Sequence, residues 1–262
     1  MDVRPYFSVI VPTYNRGYII NKMIESLVQQ QFKNWELIIV DDGSNDNTEE
    51  VVKFYKKDYP SKIFYFKFQK NKGVNIARNF GASKARGEWL IFQDSDDRFT
   101  DTALTILYEL TRRVEAPIIW TACITQSGKR MTNQPEFEGY ADFRNILCEK
   151  IKGEYLPTVR REVFLKFVFP EDIKGGEGLL WYKITKNYGK IYISNEITRI
   201  YNDTLEDRLC VKSKNFIRLA KVFKKDLEIF WKDYLRFCPF KFFEKFAKYT
   251  IYRILSIEKV KK

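Results

Sequence analysis

Leu90-Ile91-Phe92-Gln93-Asp94-Ser95-Asp96-Asp97 is the stretch that decides how the chain folds. With Trp89 it reads as a short buried strand that ends in three carboxylates. A sheet interior does not tolerate unpaired charge, so the cluster belongs at a strand end or beside a neutralising partner. Hard oxygen ligands suit magnesium or manganese, which protein carboxylates usually hold together with a substrate's phosphates. The other reading is a solvated acidic turn between a strand and a helix, and the surroundings must choose.

Working outward, Phe7 to Pro12 is a β-branched run closed by a proline, hence a strand entering a loop. Ile20, Met23, Ile24 and Leu27 recur at helical spacing within 19–31. Trp35 to Val40 predicts a second strand that runs into Asp41-Asp42-Gly43-Ser44, and Asn45 or Asp46 is placed to cap a helix over 47–57. A strand over 63–68 and a helix over 74–85, closed by Gly87, precede the acidic stretch. Four such alternations imply a mainly parallel sheet with helices on both faces. Ligands bind such sheets beyond the carboxyl ends of the strands. Tyr14-Asn15, Asp41-Asp42-Gly43 and Asp94 to Asp97 should therefore meet in one crevice. Further strands fit 118–124 and 190–194, with a looser polar region over 125–155 between them.

The 262 residues suffice for a large core. With no histidine and no C-x-x-C pair among Cys123, Cys148, Cys210 and Cys238, a zinc site is not expected. Scattered cysteines and the lack of a signal-peptide pattern lead us to expect a reducing cytoplasm. No apolar run is long enough to span a membrane. Charge is uneven: residues 212–262 carry 15 Lys/Arg against 5 Asp/Glu, the remainder 31 against 29. That tail reads as two amphipathic helices broken near Cys238-Pro239. In the second, Phe243, Phe246, Ile254 and Ile257 share one face, and Lys241, Lys245 and Lys248 another. Basic aromatic helices of this kind lie in membrane interfaces, here an anionic one. Alternatively the apolar stripe packs on the body with its lysines in water. The tail matches no recognition module, so no nucleic acid partner is expected.

The ordered set Ser8-Val9-Ile10-Val11-Pro12-Thr13-Tyr14-Asn15, Glu36 to Ser44, Asn71-Lys72-Gly73, Ala77-Arg78-Asn79-Phe80-Gly81, and Gly87-Glu88-Trp89 leading to Asp94-Ser95-Asp96-Asp97 resembles the inverting nucleotide-sugar glycosyltransferases of family 2. That resemblance implies the GT-A fold, Rossmann-like with a mainly parallel central sheet, over 1–211. Residues 1–115 would bind the nucleotide sugar and 116–211 the acceptor, with 212–262 as a C-terminal helical extension. By the same resemblance Pro12 and Tyr14 line the base pocket and Asp42 accepts a hydrogen bond from the base. Arg78 lies near base or diphosphate. Asp96, with Asp94, contacts a manganese or magnesium ion on the diphosphate, and Asp97 supports them.

An inverting transfer needs a base opposite the leaving diphosphate. The family's Glu-Asp pair corresponds here to Glu177-Gly178, so the aspartate is missing and Glu177 becomes the base, with Asp172 as competitor. A helix N-terminal charge is the other reading of Glu177. Arg199, Tyr201 and Arg208 fall where relatives carry a mobile loop over the diphosphate, although Arg208 also suits a surface pair with Asp203 or Glu206. The resulting expectation is a metal-dependent transferase that moves a sugar from a UDP-linked donor to a lipid-linked or envelope glycan, peripheral on the inner face of the cell membrane. A non-catalytic nucleotide-sugar-binding protein and a nucleotidyltransferase are the alternatives.

Overall fold

Alternating apolar runs and amphipathic segments give the first half its shape. The computed structural model describes residues 4–204 and 215–260. In chain order come β1 (Phe7–Thr13), α1 (Ile20–Val28), β2 (Trp35–Asp41), α2 (Thr48–Asp58), β3 (Ile63–Lys67), α3 (Val74–Lys84) and β4 (Trp89–Phe92). They are followed by β5 (Arg98–Phe99), α4 (Ala103–Arg113), β6 (Ile118–Thr125), β7 (Gly139–Asp142), α5 (Phe143–Leu147), β8 (Tyr155–Arg160) and α6 (Arg161–Phe164). The remainder is α7 (Glu177–Tyr188), β9 (Lys190–Tyr201), α8 (Phe216–Phe237) and α9 (Pro239–Val260).

One sheet runs β3-β2-β1-β4-β8-β6-β9-β5, and β7 also pairs with β9. The first four strands are parallel, in the GT-A arrangement. β8 is antiparallel to both β4 and β6, so β6 again points with the first four, and β9 follows β6. Side chains alternate across the sheet. Val9, Val11, Leu37, Ile39 and Ile91 pack toward α1 and α4. Ile10, Ile38, Val40, Leu90 and Phe92 pack toward α3 and α7.

Three local expectations change. α3 ends at Lys84 with Ala85 as its cap residue, and Gly87 is not its cap. A Cβ at Gly87 would lie 2.6 Å from Ser8 Oγ and 2.7 Å from Ser8 N, so its bareness lets the chain pass against β1. β8 begins where the polar region ends and was not expected, since Pro157 speaks against a central strand. Pairing with β4 starts only at Thr158, so Pro157 lies outside that ladder. β9 continues past Ser194 to Tyr201 through register shifts against β6 that hide its period.

The extension packs back onto the body. Phe230 and Tyr234 of α8 close a small core with Leu147, Ile173 and Leu179. α9 folds back antiparallel, with Tyr252 stacked on Phe216 and Phe223 of α8. Cys148, at the end of α5, and Cys238, at the end of α8, form a disulfide. Scattered spacing had suggested unpaired thiols, but spacing carries no information on pairing across 90 residues. Cys123 is buried and unpaired, and Cys210 lies outside the described residues.

Candidate active site

Strands β1, β2 and β4 end on the same side of the sheet, and the loops that leave them line an open cleft of about 1260 Å³. The loops are tied together before any ligand arrives. Ser44 Oγ accepts from Asn15 N (2.8 Å) and Asn15 Oδ1 from Asn45 N (3.0 Å). Asp41 accepts from Ser44 N and from the Tyr65 hydroxyl, which fixes the turn. At the start of α2 the Asp46 carboxylate takes the Thr48 N–H (3.1 Å). Asp42, 4% exposed, accepts from Lys72 N (2.6 Å) and Gly73 N (2.8 Å) at the entry to α3. Pro12 is buried and Tyr14 exposed, both along the cleft wall.

The polar face of α3 organises the other wall. Asn75, Arg78 and Asn79 fall on one side at i, i+3 and i+4. Asn75 Nδ2 donates to the carbonyls of Pro170 (2.8 Å) and Gly175 (3.0 Å). Asn79 Nδ2 donates to the Phe169 carbonyl (2.9 Å) and its Oδ1 accepts from Phe169 N (3.0 Å). The loop before α7 is thereby pinned, and Gly176 turns it through φ +78° into the helix. Glu177 is then the first residue of α7. The Arg78 guanidinium lies between two carboxylates, donating to Asp94 Oδ1 (2.7 Å) and to Glu177 Oε1 (2.9 Å). Loss of water pushes the Asp94 carboxyl up, but Arg78, with Arg199 further off, holds it below its usual range.

Asp97 turns away from solvent. Its Oδ1 accepts from Asn202 N (2.9 Å), and its Oδ2 lies 3.5 Å from Arg199 Nε. Burial pushes Asp97 up to about 7 against the pull of Arg199. Arg199 and Tyr201 are strand residues of β9, not loop residues. Arg199 is 4% exposed, also reaches Glu154 (3.5 Å), and donates to Cys123 Sγ. It supports the acidic cluster from below, a role the resemblance did not suggest. Asp96 and Asp94 both line the cleft. Asp172 does not: it is exposed and paired with Lys225 of α8. Arg208 lies outside the described residues.

Among the described residues no three carboxylates stand close enough to hold a metal alone. Asp94 and Asp96 both line the open cleft, so a hard divalent ion held by them would need phosphate oxygens or water to complete its ligands. Sequence reasoning missed Lys174, Arg218 and Lys248, which also line the cleft. The last two belong to the helical extension, and only its docking brings them there.

The family model for glycosyl transferase family 2 matches residues 8–159. The chain belongs to that family and is a glycosyltransferase with the GT-A fold. It is 31% identical over 251 residues to GalNAc(5)-diNAcBac-PP-undecaprenol beta-1,3-glucosyltransferase of Campylobacter jejuni, covering 89% of this chain and 79% of that protein. In fold it is similar to S. aureus TarS 1–349 in complex with UDP-GlcNAc (TM-score 0.71, 20% identity, 84% of this chain and 66% of that one). It is also similar to the mannosyltransferase PcManGT from Pyrobaculum calidifontis in complex with GDP-Man and Mn2+ (TM-score 0.65, 20% identity, 86% and 65%). The chain thus spans slightly less than two thirds of each of those solved chains.

Proposed function

We propose that this chain is a metal-dependent inverting glycosyltransferase that moves a sugar from a UDP-linked donor to a hydroxyl of a lipid-linked glycan. The Arg78 bridge carries the proposal: one guanidinium sets the donor-side carboxylate Asp94 and the carboxylate Glu177 across a fixed span. Tyr14 offers a ring to the nucleobase and Asp42 an acceptor to its imide N–H. Asp96 and Asp94 are the residues that would hold magnesium or manganese, which when bound neutralises charge on the leaving diphosphate. Glu177 takes the proton from the attacking hydroxyl. A Cβ at Gly178 would meet nothing within 4 Å, so the absent aspartate was not excluded by crowding.

Glu177→Gln should lower kcat by about 10²–10⁴, the usual worth of a general base, with donor affinity kept. Unchanged turnover would refute its role. Calorimetry with UDP should show affinity that needs manganese and is lost in Asp96→Ala; metal-independent binding would remove Asp96 from the site.

The acceptor reading draws on the Campylobacter relative, whose name specifies a lipid-linked substrate. It draws also on α9, where Phe240, Phe243, Phe246, Ile251, Ile254 and Ile257 are all more than half exposed. Trp231 and Leu235 of α8 are exposed beside Lys232 and Arg236. Apolar residues with flanking cations suit an anionic membrane surface. Among the described residues no helix is long and apolar enough to cross a membrane, so contact would be peripheral.

A further inference from the structure

Most of the charge in the cleft is already matched. Arg78 takes Asp94 and Glu177, Arg199 takes Asp97 and Glu154, and Lys241 and Lys245 take Glu149. Arg218, in the first turn of α8, and Lys174, on the loop before α7, line the same wall and form no ion pair with a described carboxylate. Arg218 is half-buried, and its Nη1 lies 3.5 Å from the point a Cβ on Gly175 would occupy. Glu177 Oε2 lies 3.9 Å from the same point, while Oε1 faces Arg78. Arg78 therefore bridges Asp94 and Glu177, and Arg218 flanks the same loop position as the other oxygen of Glu177. An inverting base lies beside the acceptor hydroxyl it deprotonates, on the sugar face opposite the leaving diphosphate, so groups that flank Glu177 away from Asp94 face the acceptor.

We propose that Arg218, seconded by Lys174, is an anion-binding subsite for the acceptor, which carries negative charge within one sugar ring of the attacking hydroxyl. This rests on the reading of Glu177 as the base. A guanidinium fork matches either a phosphate or a carboxylate. The charge can come from a lipid diphosphate at the reducing end or from an acidic sugar. The helical extension then builds part of the active site as well as packing beside it.

Calorimetry on the full chain tests the subsite apart from turnover. Three ligands carry one sugar: on a short prenyl diphosphate, on the neutral prenyl ether, and as the uronic acid on that ether. One charged form should bind about three- to fivefold tighter than the neutral ether, the worth of one partly screened charge contact. Which form does so names the source. Arg218→Gln should erase the preference and Arg218→Lys retain part of it. If Arg218→Gln melts early, Lys174→Gln should reduce the preference in the same direction. Equal affinity for all three ligands, or an equal loss across them in Arg218→Gln, overturns the proposal. Donor consumption is read separately. A chain that binds the charged sugar through Arg218 but never spends donor refutes the transfer reading and leaves the subsite standing.

Discussion

The two helices of the extension have similar amphipathic patterns and bury opposite faces. α8 puts Ala220, Leu227, Phe230 and Tyr234 inward, as its apolar spacing predicts. α9 turns its lysine face inward instead. Lys245 is 6% exposed, bonded to Asp226 Oδ2 (2.7 Å) and close to Glu149 (3.4 Å), and it lies 5.2 Å from the Tyr234 ring centre. Lys241 reaches Glu149 as well (3.1 Å). The aromatic side of α9 is left outside, with Phe240 89% exposed. Either face of such a helix can be buried, and the partner surface decides which. α8 offers a buried carboxylate, Asp226, whose charge must be answered. Burial pushes the Asp226 carboxyl up even with Lys245 beside it.

The difference can be attacked from both sides. Phe230→Ala empties a core position of α8 and should cost about 3–5 kcal/mol of stability in denaturant melts. Asp226→Ala should cost nearly as much, about 3 kcal/mol, because it strands a buried ammonium; Glu149 keeps the loss at the lower end. A neutral result would mean that α9 is held by its aromatics and not by its lysines. Phe243→Ala with Phe246→Ala should change stability by only about 0.5 kcal/mol per site. The pair should weaken binding to anionic liposomes, and retained binding would remove α9 from the membrane contact.

The first hundred residues were legible because each signal is local there. Apolar runs of strand length, turn residues after them and carboxylates at their ends all lie within a few positions. Gly87 shows the limit, since a glycine after a helix reads as a cap until the approach of Ser8 is known. Glu177 was placed by the family resemblance, while its tie to Arg78 and the exclusion of Asp172 from the cleft are distances between remote segments. Strand β8 was hidden by Pro157, and β9 by its irregular register.

The sequence by itself determined the parallel half-sheet, the convergence of Tyr14, Asp42 and Asp94–Asp97, and the presence of a basic helical extension. Periodicity and turn chemistry act over a few residues and need no partner. Only the tertiary structure decided which face of α9 is buried, that Cys148 meets Cys238, that Arg199 underlies Asp97, and that Arg218 stands beside Glu177. Those outcomes depend on which charges and surfaces meet between segments remote in the chain, and a local pattern carries no record of that meeting.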